Sequence, residues 1–214
     1  VSKVARTSDW IKQSYDLVQN QGDHVTIGDE VEDNIGSTLT GTLNVDDAFE
    51  AYISTDDFVQ GVLLTSGNRW QDVYPLTTSL IVGQDYYLHI KGINTGGPAG
   101  FLGDFQIAGK HTFSNGLSTL NTNITDWKVS KTGWSDYLPA SAYGVNGVGP
   151  WGSRTGIDPS AQWIWSSNNS TDNTTYFSTK IAKLSPVSVI SELMNDNGTM
   201  MKGENLLKFS KPHI

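Results

Sequence analysis

The sequence predicts an all-β fold, an antiparallel β-sandwich, on three observations. Apolar and polar residues alternate along short runs, most clearly in Tyr86-Tyr87-Leu88-His89-Ile90. There Tyr86, Leu88 and Ile90 point one way, and Tyr87, His89 and Lys91 the other. Turn-forming stretches separate the runs: Asp56-Asp57, Ser66-Gly67-Asn68, Val82-Gly83-Gln84-Asp85 and Asn94-Thr95-Gly96-Gly97-Pro98. Composition is the third: only 17% of residues are charged while Gly, Ser, Thr and Asn abound, a balance common in secreted β proteins.

Taken in order, residues 1–24 form an N-terminal segment. Ser8-Asp9 can cap a short helix over Asp9 to Val18, with Ile11, Tyr15 and Val18 on one face; Asp16-Leu17-Val18 can also start a strand. The sandwich is expected over residues 25–185. His24-Val25-Thr26-Ile27 and Thr38 to Val45 read as strands, with the acidic loop Asp29, Glu30, Glu32 and Asp33 between them. Val45, Phe49, Tyr52 and Ile53 mark one extended segment, followed by Val62 to Leu64, Tyr86 to Ile90 and Phe101 to Ile107. Lys110 to Asn123 reads as loop and short strand, and Asp126 to Val129 as extended. Pro139 to Pro159, rich in glycine, is a long irregular excursion of the kind that carries function or packs on its own aromatics. Ala161 to Trp165 and Thr175 to Ile181 close the fold. Residues 186–214 form a tail in which Val189 to Met194 can make a helical turn.

At 214 residues the chain is long enough to bury a core without staples, and with no cysteine it must do so. Thiolate chemistry and Cys-ligated zinc are thereby excluded. A net charge of −8 repels a phosphate backbone, so nucleic acid is not an expected partner. No apolar run approaches the roughly 20 residues that span a bilayer. The chain begins at Val1, read here as a mature or trimmed product, and the expected location is extracellular. The four histidines are dispersed without metal spacing, and there is neither a G-x-S-x-G motif nor a phosphate loop. No pair of carboxylates is singled out for glycoside hydrolysis. A non-catalytic protein is expected.

Two groups of residues can make a binding site. Asp46 and Asp47, with Glu50 or Asp104 as partners, offer the hard oxygens that calcium takes; adjacent carboxylates at a strand end also accept loop amides. Tryptophans can stack on the C–H faces of sugars beside polar hydrogen-bonding groups. Trp70 follows Arg69, Trp134 precedes Ser135-Asp136, and Trp151 sits in a Gly-rich loop, so these three are candidate exposed platforms. Loop-anchoring is the alternative role for each. Trp163 and Trp165 share a strand face by periodicity and are assigned to the core. Asn94 can reach a sugar hydroxyl or close its own turn. Asn123, Asn168, Asn169, Asn173 and Asn197 satisfy N-x-Ser/Thr, against about three matches expected by chance in so Asn-, Ser- and Thr-rich a chain.

The segments DDAFEAYIS (46–54), Trp70, L-x-x-G-x-x-Y (80–86) and INTGGPAGFLGDF (93–105) resemble those of galactose-binding-domain-like β-sandwiches. TDWKVSKTGWSDY, YGVNGVGPWG, AQWIW and TTYFSTKI extend the resemblance, which covers roughly residues 25–182. The Asp-Asp opening is also similar, more faintly, to PA14 lectin-like domains, whose Asp-Asp pair holds calcium. Ser54-Thr55-Asp56-Asp57 stands where many members have an Asn-Gly turn. The resemblance implies a jelly-roll and an extracellular carbohydrate-binding module, with calcium as a possible cofactor and a glycan or glycoprotein as partner. Two other functions fit the sequence: a structural glycoprotein of a filament, shell or matrix that self-associates through its C-terminal tail, and a carrier of a small apolar ligand or pigment.

Overall fold

The computed structural model describes residues 36–184, together with the short strands Leu193–Met194 and Met200–Met201. The helix expected at Asp9 to Val18, the strand at His24 to Ile27, the acidic loop, Asn197 and most of the tail lie outside the described residues.

Thirteen strands make up the main body. They are β1 (Ser37–Asp46), β2 (Ala48–Ser54), β3 (Val62–Gly67), β4 (Tyr74–Leu80), β5 (Tyr86–Ile93), β6 (Gly100–Ala108), β7 (His111–Phe113), β8 (Thr119–Asn121), β9 (Lys128–Ser130), β10 (Leu138–Pro139), β11 (Ser141–Val145), β12 (Gln162–Trp165) and β13 (Thr174–Lys183). They form two antiparallel sheets, with no helix among the described residues. The first runs β11-β12-β6-β1-β4 with β8 beside β6; the second runs β10-β9-β13-β5-β2-β3 with β7 beside β13. Pairing is nested: β1 lies along β6, β2 along β5, and the chain crosses between sheets from β3 to β4. Leu193–Met194, expected in a helical turn, instead pairs with Met200–Met201.

The inner faces of the two sheets meet in an aromatic core, as period-two alternation requires of a sandwich. Phe101 on β6 stands 5.1 Å from Trp127 and 4.9 Å from Phe177 on the opposing sheet, ring centre to ring centre, both edge-on. Trp165 reaches across to Phe177 at 5.3 Å. It does so over Gly92, where an added Cβ would lie 2.5 Å from the indole. Leu39, Leu43, Leu88, Ile90 and Ile181 complete this layer, each fully or almost fully buried.

The continuous segment expected from Val45 to Ile53 divides at Asp46-Asp47: β1 ends in the first sheet and β2 begins in the second. The strand β4 was not expected, because Pro75 and a Thr/Ser-rich sequence hide its alternation; yet Leu76 and Leu80 are buried on one face. Trp163 and Trp165 are both core, as expected, but they do not share an environment. Trp165 enters the inter-sheet core, whereas Trp163 joins Leu102, Trp151, Ile157 and Ala161 in a second cluster. Leu102 neighbours the inward-facing Phe101, so this cluster lies on the outer face of the first sheet. The excursion expected from Pro139 to Pro159 supplies β11 and then the loop covering that face, with Trp151 beneath it.

Replacing Phe101 by Ala removes a ring that bridges both layers and is predicted to cost about 3–5 kcal/mol. Urea unfolding should show a lower midpoint with an unchanged slope.

Candidate functional site

The site is built from the end of β1 outward. Asp46 ends that strand, and its Oδ2 accepts a hydrogen bond from Trp151 Nε1 at 2.9 Å. The Trp151 indole stacks on Trp163, with ring centres 4.6 Å apart and planes 19° from parallel. Asp47 follows across a cis peptide bond, and its carboxyl shares a hydrogen bond with that of Asp46. Asp47 Oδ2 accepts from the Thr95 backbone N–H at 2.7 Å and from the Thr95 hydroxyl. On the third side, Asn44 donates from its side-chain amide to the carbonyls of Trp70 (2.7 Å) and Asp72, fixing the 68–72 loop. Trp70 lies under the Arg154 guanidinium, which is 5.1 Å from its ring centre and 5.8 Å from that of Trp163.

Asp46, Asp47, Trp70 and Trp151, with Gly96, Pro98 and Pro150, line an open cavity of about 220 Å³. Its electrostatics are unequal. Burial, then the hydrogen bond and charge of Asp47, push the Asp46 carboxyl up to about 6, against lowering by Trp151 and Arg154. Burial also raises Asp47, but the Thr95 hydrogen bonds and that to Asp46 outweigh it and hold Asp47 below the ordinary range. Burial draws the Arg154 guanidinium down, and the Asp46 charge works against that. Arg154 Nε and Nη2 are buried without a hydrogen-bond partner, so its cation is offset by the aromatic faces and Asp46.

Four of the residues singled out in the sequence, Asp46, Asp47, Trp70 and Trp151, therefore line one cavity. The others stand elsewhere. Trp151 is not an exposed platform: it is 4% exposed and presents only part of its indole. Arg69 pairs with Asp72 at 3.3 Å on the surface. Asn94 is buried and closes its own turn, donating to Gly97 O at 3.2 Å and accepting from Gly96 N at 3.1 Å. Gly97 has φ +85°, the left-handed backbone that this turn requires. Glu50 does not join Asp46 and Asp47; it pairs with Lys91 (2.9 Å) and Tyr52 OH (2.9 Å). Asp104 lines a separate groove with Thr40, Gly41, Thr42 and Gln106. Among the described residues no three His, Asp or Glu side chains gather as a metal site.

Trp134 and Asp136 lie in the loop between β9 and β10, beside the second sheet. Trp134 lies flat on His89 (4.3 Å, 12°) and meets Tyr176 and Tyr52 edge-on. It thus seals an outward-facing histidine that is 0% exposed. Asp136 accepts from Ser135 Oγ at 3.0 Å and stabilises its own loop. Beneath Trp134, Asp57 accepts from Ser178 Oγ at 2.6 Å and from Lys128, with His89 Nε2 at 3.5 Å. Serine and histidine both bond the carboxylate rather than each other, so the group clamps the 55–61 loop to β13 and lacks a nucleophile–base contact. Burial, foremost, lowers the His89 pKa. This cluster and Arg154 were missed: the members are far apart in sequence and no motif links them.

Of the glycosylation acceptors, Asn168 and Asn173 are exposed. Asn123 donates its amide to Asn121 O and Asp126 at 3.0 Å each, and Asn169 to Ala99 O at 3.0 Å.

The Asp46–Asp47 pair makes a measurable prediction. In a pH titration the Trp151 indole N–H resonance should move with an apparent pKa near 6, in step with the Asp46 charge it bonds. The Trp165 indole, bonded to the Asp172 carbonyl, should stay still. A Trp151 resonance flat across this range contradicts the assignment.

Comparison with protein-family models, with curated proteins and with solved structures found no match.

Proposed function

We propose that the chain is an extracellular, non-catalytic carbohydrate-binding module that holds a sugar in the cavity between Trp70 and the Asp46–Asp47 pair. The observation that carries this reading is the convergence of an aromatic ring and two carboxylates on one cavity of sugar-ring size. Trp70 supplies the apolar face against which ring C–H groups stack, while Asp46 and Asp47 accept from hydroxyls. Trp151 holds Asp46 in place rather than acting as a platform. The nested strand pairing supports the jelly-roll form of the sandwich, and exposed Asn168 and Asn173 support a glycosylated, secreted product.

Calcium fits the donor set in chemistry. Two adjacent carboxylates, one with its pKa raised by burial and by the other, gain by sharing a divalent cation. Asp46 and Asp47 would hold it, and the remaining oxygens would come from backbone, water and the sugar. Bound there, the ion would supply positive charge to sugar hydroxyls.

A second reading, a structural subunit of a filament, shell or matrix, is favoured by the edge strand β3, which among the described residues pairs with β2 alone and exposes Val62 and Leu63. The carrier reading has less support, because Trp127 and Trp163 pack on Phe101 and Trp151.

Glycan binding measured by calorimetry or on an array should fall about tenfold or more for Trp70→Ala and for Asp47→Asn, a loss of about 1.4 kcal/mol or more. Trp134→Ala should leave it unchanged. Loss of binding in Trp134→Ala alone would move the site to the other sheet, and undiminished binding in Trp70→Ala would remove this one. Chelation of calcium should weaken binding if the ion takes part.

A further inference from the structure

The loop that follows β11 is gathered around one side chain, that of Asn146. Its Oδ1 accepts from the Arg154 N–H at 2.7 Å. Its Nδ2 donates to the carbonyls of Arg154 (3.1 Å), Ile157 (2.9 Å) and Asp158 (3.4 Å). The Asn146 N–H in turn bonds Ala161 O at 2.8 Å, which ties the clamp to the residue before β12. Both backbone groups of Arg154 are therefore held by a single amide eight positions away. An amide that donates to and accepts from the same residue fixes the direction in which that residue's side chain leaves the backbone.

The clamp aims Arg154 at the sugar cavity without putting it inside. The guanidinium lies 5.1 Å from the ring centre of Trp70, and Trp70 lines the cavity whereas Arg154 does not. Arg154 Nε and Nη2 are buried without an acceptor, and no salt bridge joins the guanidinium to Asp46. Buried donors are bonded in the great majority of cases, so two unpartnered ones on a cation need an explanation. A salt bridge to Asp46 would satisfy them, but Asp46 Oδ2 is already taken by Trp151, and the bridge would occupy what is left of the carboxylate. Held apart, the cation acts on Asp46 through space alone. Burial and Asp47 push the Asp46 carboxyl up, and the Arg154 charge works against them. Asn44 fixes only the backbone carbonyl of Trp70, so the plane of its ring is set by the second apolar cluster and by Arg154.

We propose that Arg154, locked by Asn146, is the positioning residue of the sugar cavity: it backs the Trp70 ring and supplies the countercharge that leaves Asp46 free to accept from a sugar hydroxyl. The proposal rests on the sugar reading above and adds its regulation by pH. Two charged groups act on Asp46: Asp47 at the joint of β1 and β2, and Arg154 from the loop after β11. The other residues lining the cavity, Trp70, Gly96, Pro98, Pro150 and Trp151, carry no charge, and Arg69 and Asp72 pair with each other at the surface. The Asp46 carboxylate is lost as pH falls through about 6, so sugar binding should weaken there, and Arg154 keeps that threshold from lying higher.

The test follows the Trp151 indole N–H through a pH titration of the full chain and measures galactose and mannose binding by calorimetry. Arg154→Met keeps much of the side-chain length and removes the charge. In it the Trp151 midpoint should move upward from about 6, the proton being held roughly threefold more tightly or better. Affinity for whichever sugar binds should fall at neutral pH and recover part of that loss in alkaline buffer; a loop that was merely loosened would lose it equally at both. Arg154→Lys, which keeps the charge, should keep the midpoint. Asn146→Ala should move the midpoint as Arg154→Met does, and the double variant should move it no further, because Asn146 acts through Arg154. The circular-dichroism spectrum and the Trp165 indole signal should be the same in every variant. An unmoved midpoint in Arg154→Met, an equal displacement in Arg154→Lys, additive effects in the double variant, or a sugar affinity lost equally at both pH values or not at all would each overturn the proposal. A wild-type chain that binds neither sugar would instead remove the sugar reading, and the proposal with it.

Discussion

The hydrogen bond from Trp151 Nε1 to Asp46 Oδ2 is the contact on which the candidate site depends. It ties a glycine-rich loop, which has little secondary structure of its own, to the end of a central strand. Once Trp151 is held there, its indole lies on Trp163 and the second apolar cluster closes over the first sheet. The same bond occupies the Oδ2 of the Asp46 carboxylate. Trp151 therefore acts as a brace, and Trp70, braced from behind by Asn44 and Arg154, is left to meet a ligand.

The inter-sheet core makes that arrangement possible by fixing where β1 ends. Leu39, Leu43 and Val45 face inward, so Asn44 and Asp46 must face outward, one to the 68–72 loop and one to Trp151. A slip of one residue in β1 would turn both polar groups into the inter-sheet core and the leucines out of it. The long register with β6, from Thr38 opposite Ala108 to Asp46 opposite Gly100, guards against that slip. Core packing and site chemistry are consequently coupled through a single strand, although no residue of the inter-sheet core lines the cavity.

Much of this was legible in the sequence, and the reasons are specific. Alternation marked β5 and β6, because each buries one face against the other sheet. It failed for β4, where hydroxyl side chains occupy the outer face and a proline interrupts the pattern. For the site, Asp46, Asp47, Trp70 and Trp151 could be chosen because each is an unusual residue beside a turn. Which of the tryptophans would be covered could not be read, since that depends on contacts between residues far apart in the chain: Trp151 with Asp46, 105 positions away, and Trp134 with Tyr52 and His89. His89 shows the same limit. Its strand position marks it as outward, yet a loop over 40 residues later buries it completely.

The claim that Trp70 and the Asp46–Asp47 pair form a sugar site is tested most directly by following the tryptophan indole N–H resonances while titrating a panel of monosaccharides, with and without calcium. The account predicts that one sugar moves the Trp70 and Trp151 signals together and leaves those of Trp134 and Trp165 in place. Movement confined to Trp134, or a binding sugar that disturbs neither Trp70 nor Trp151, would contradict it.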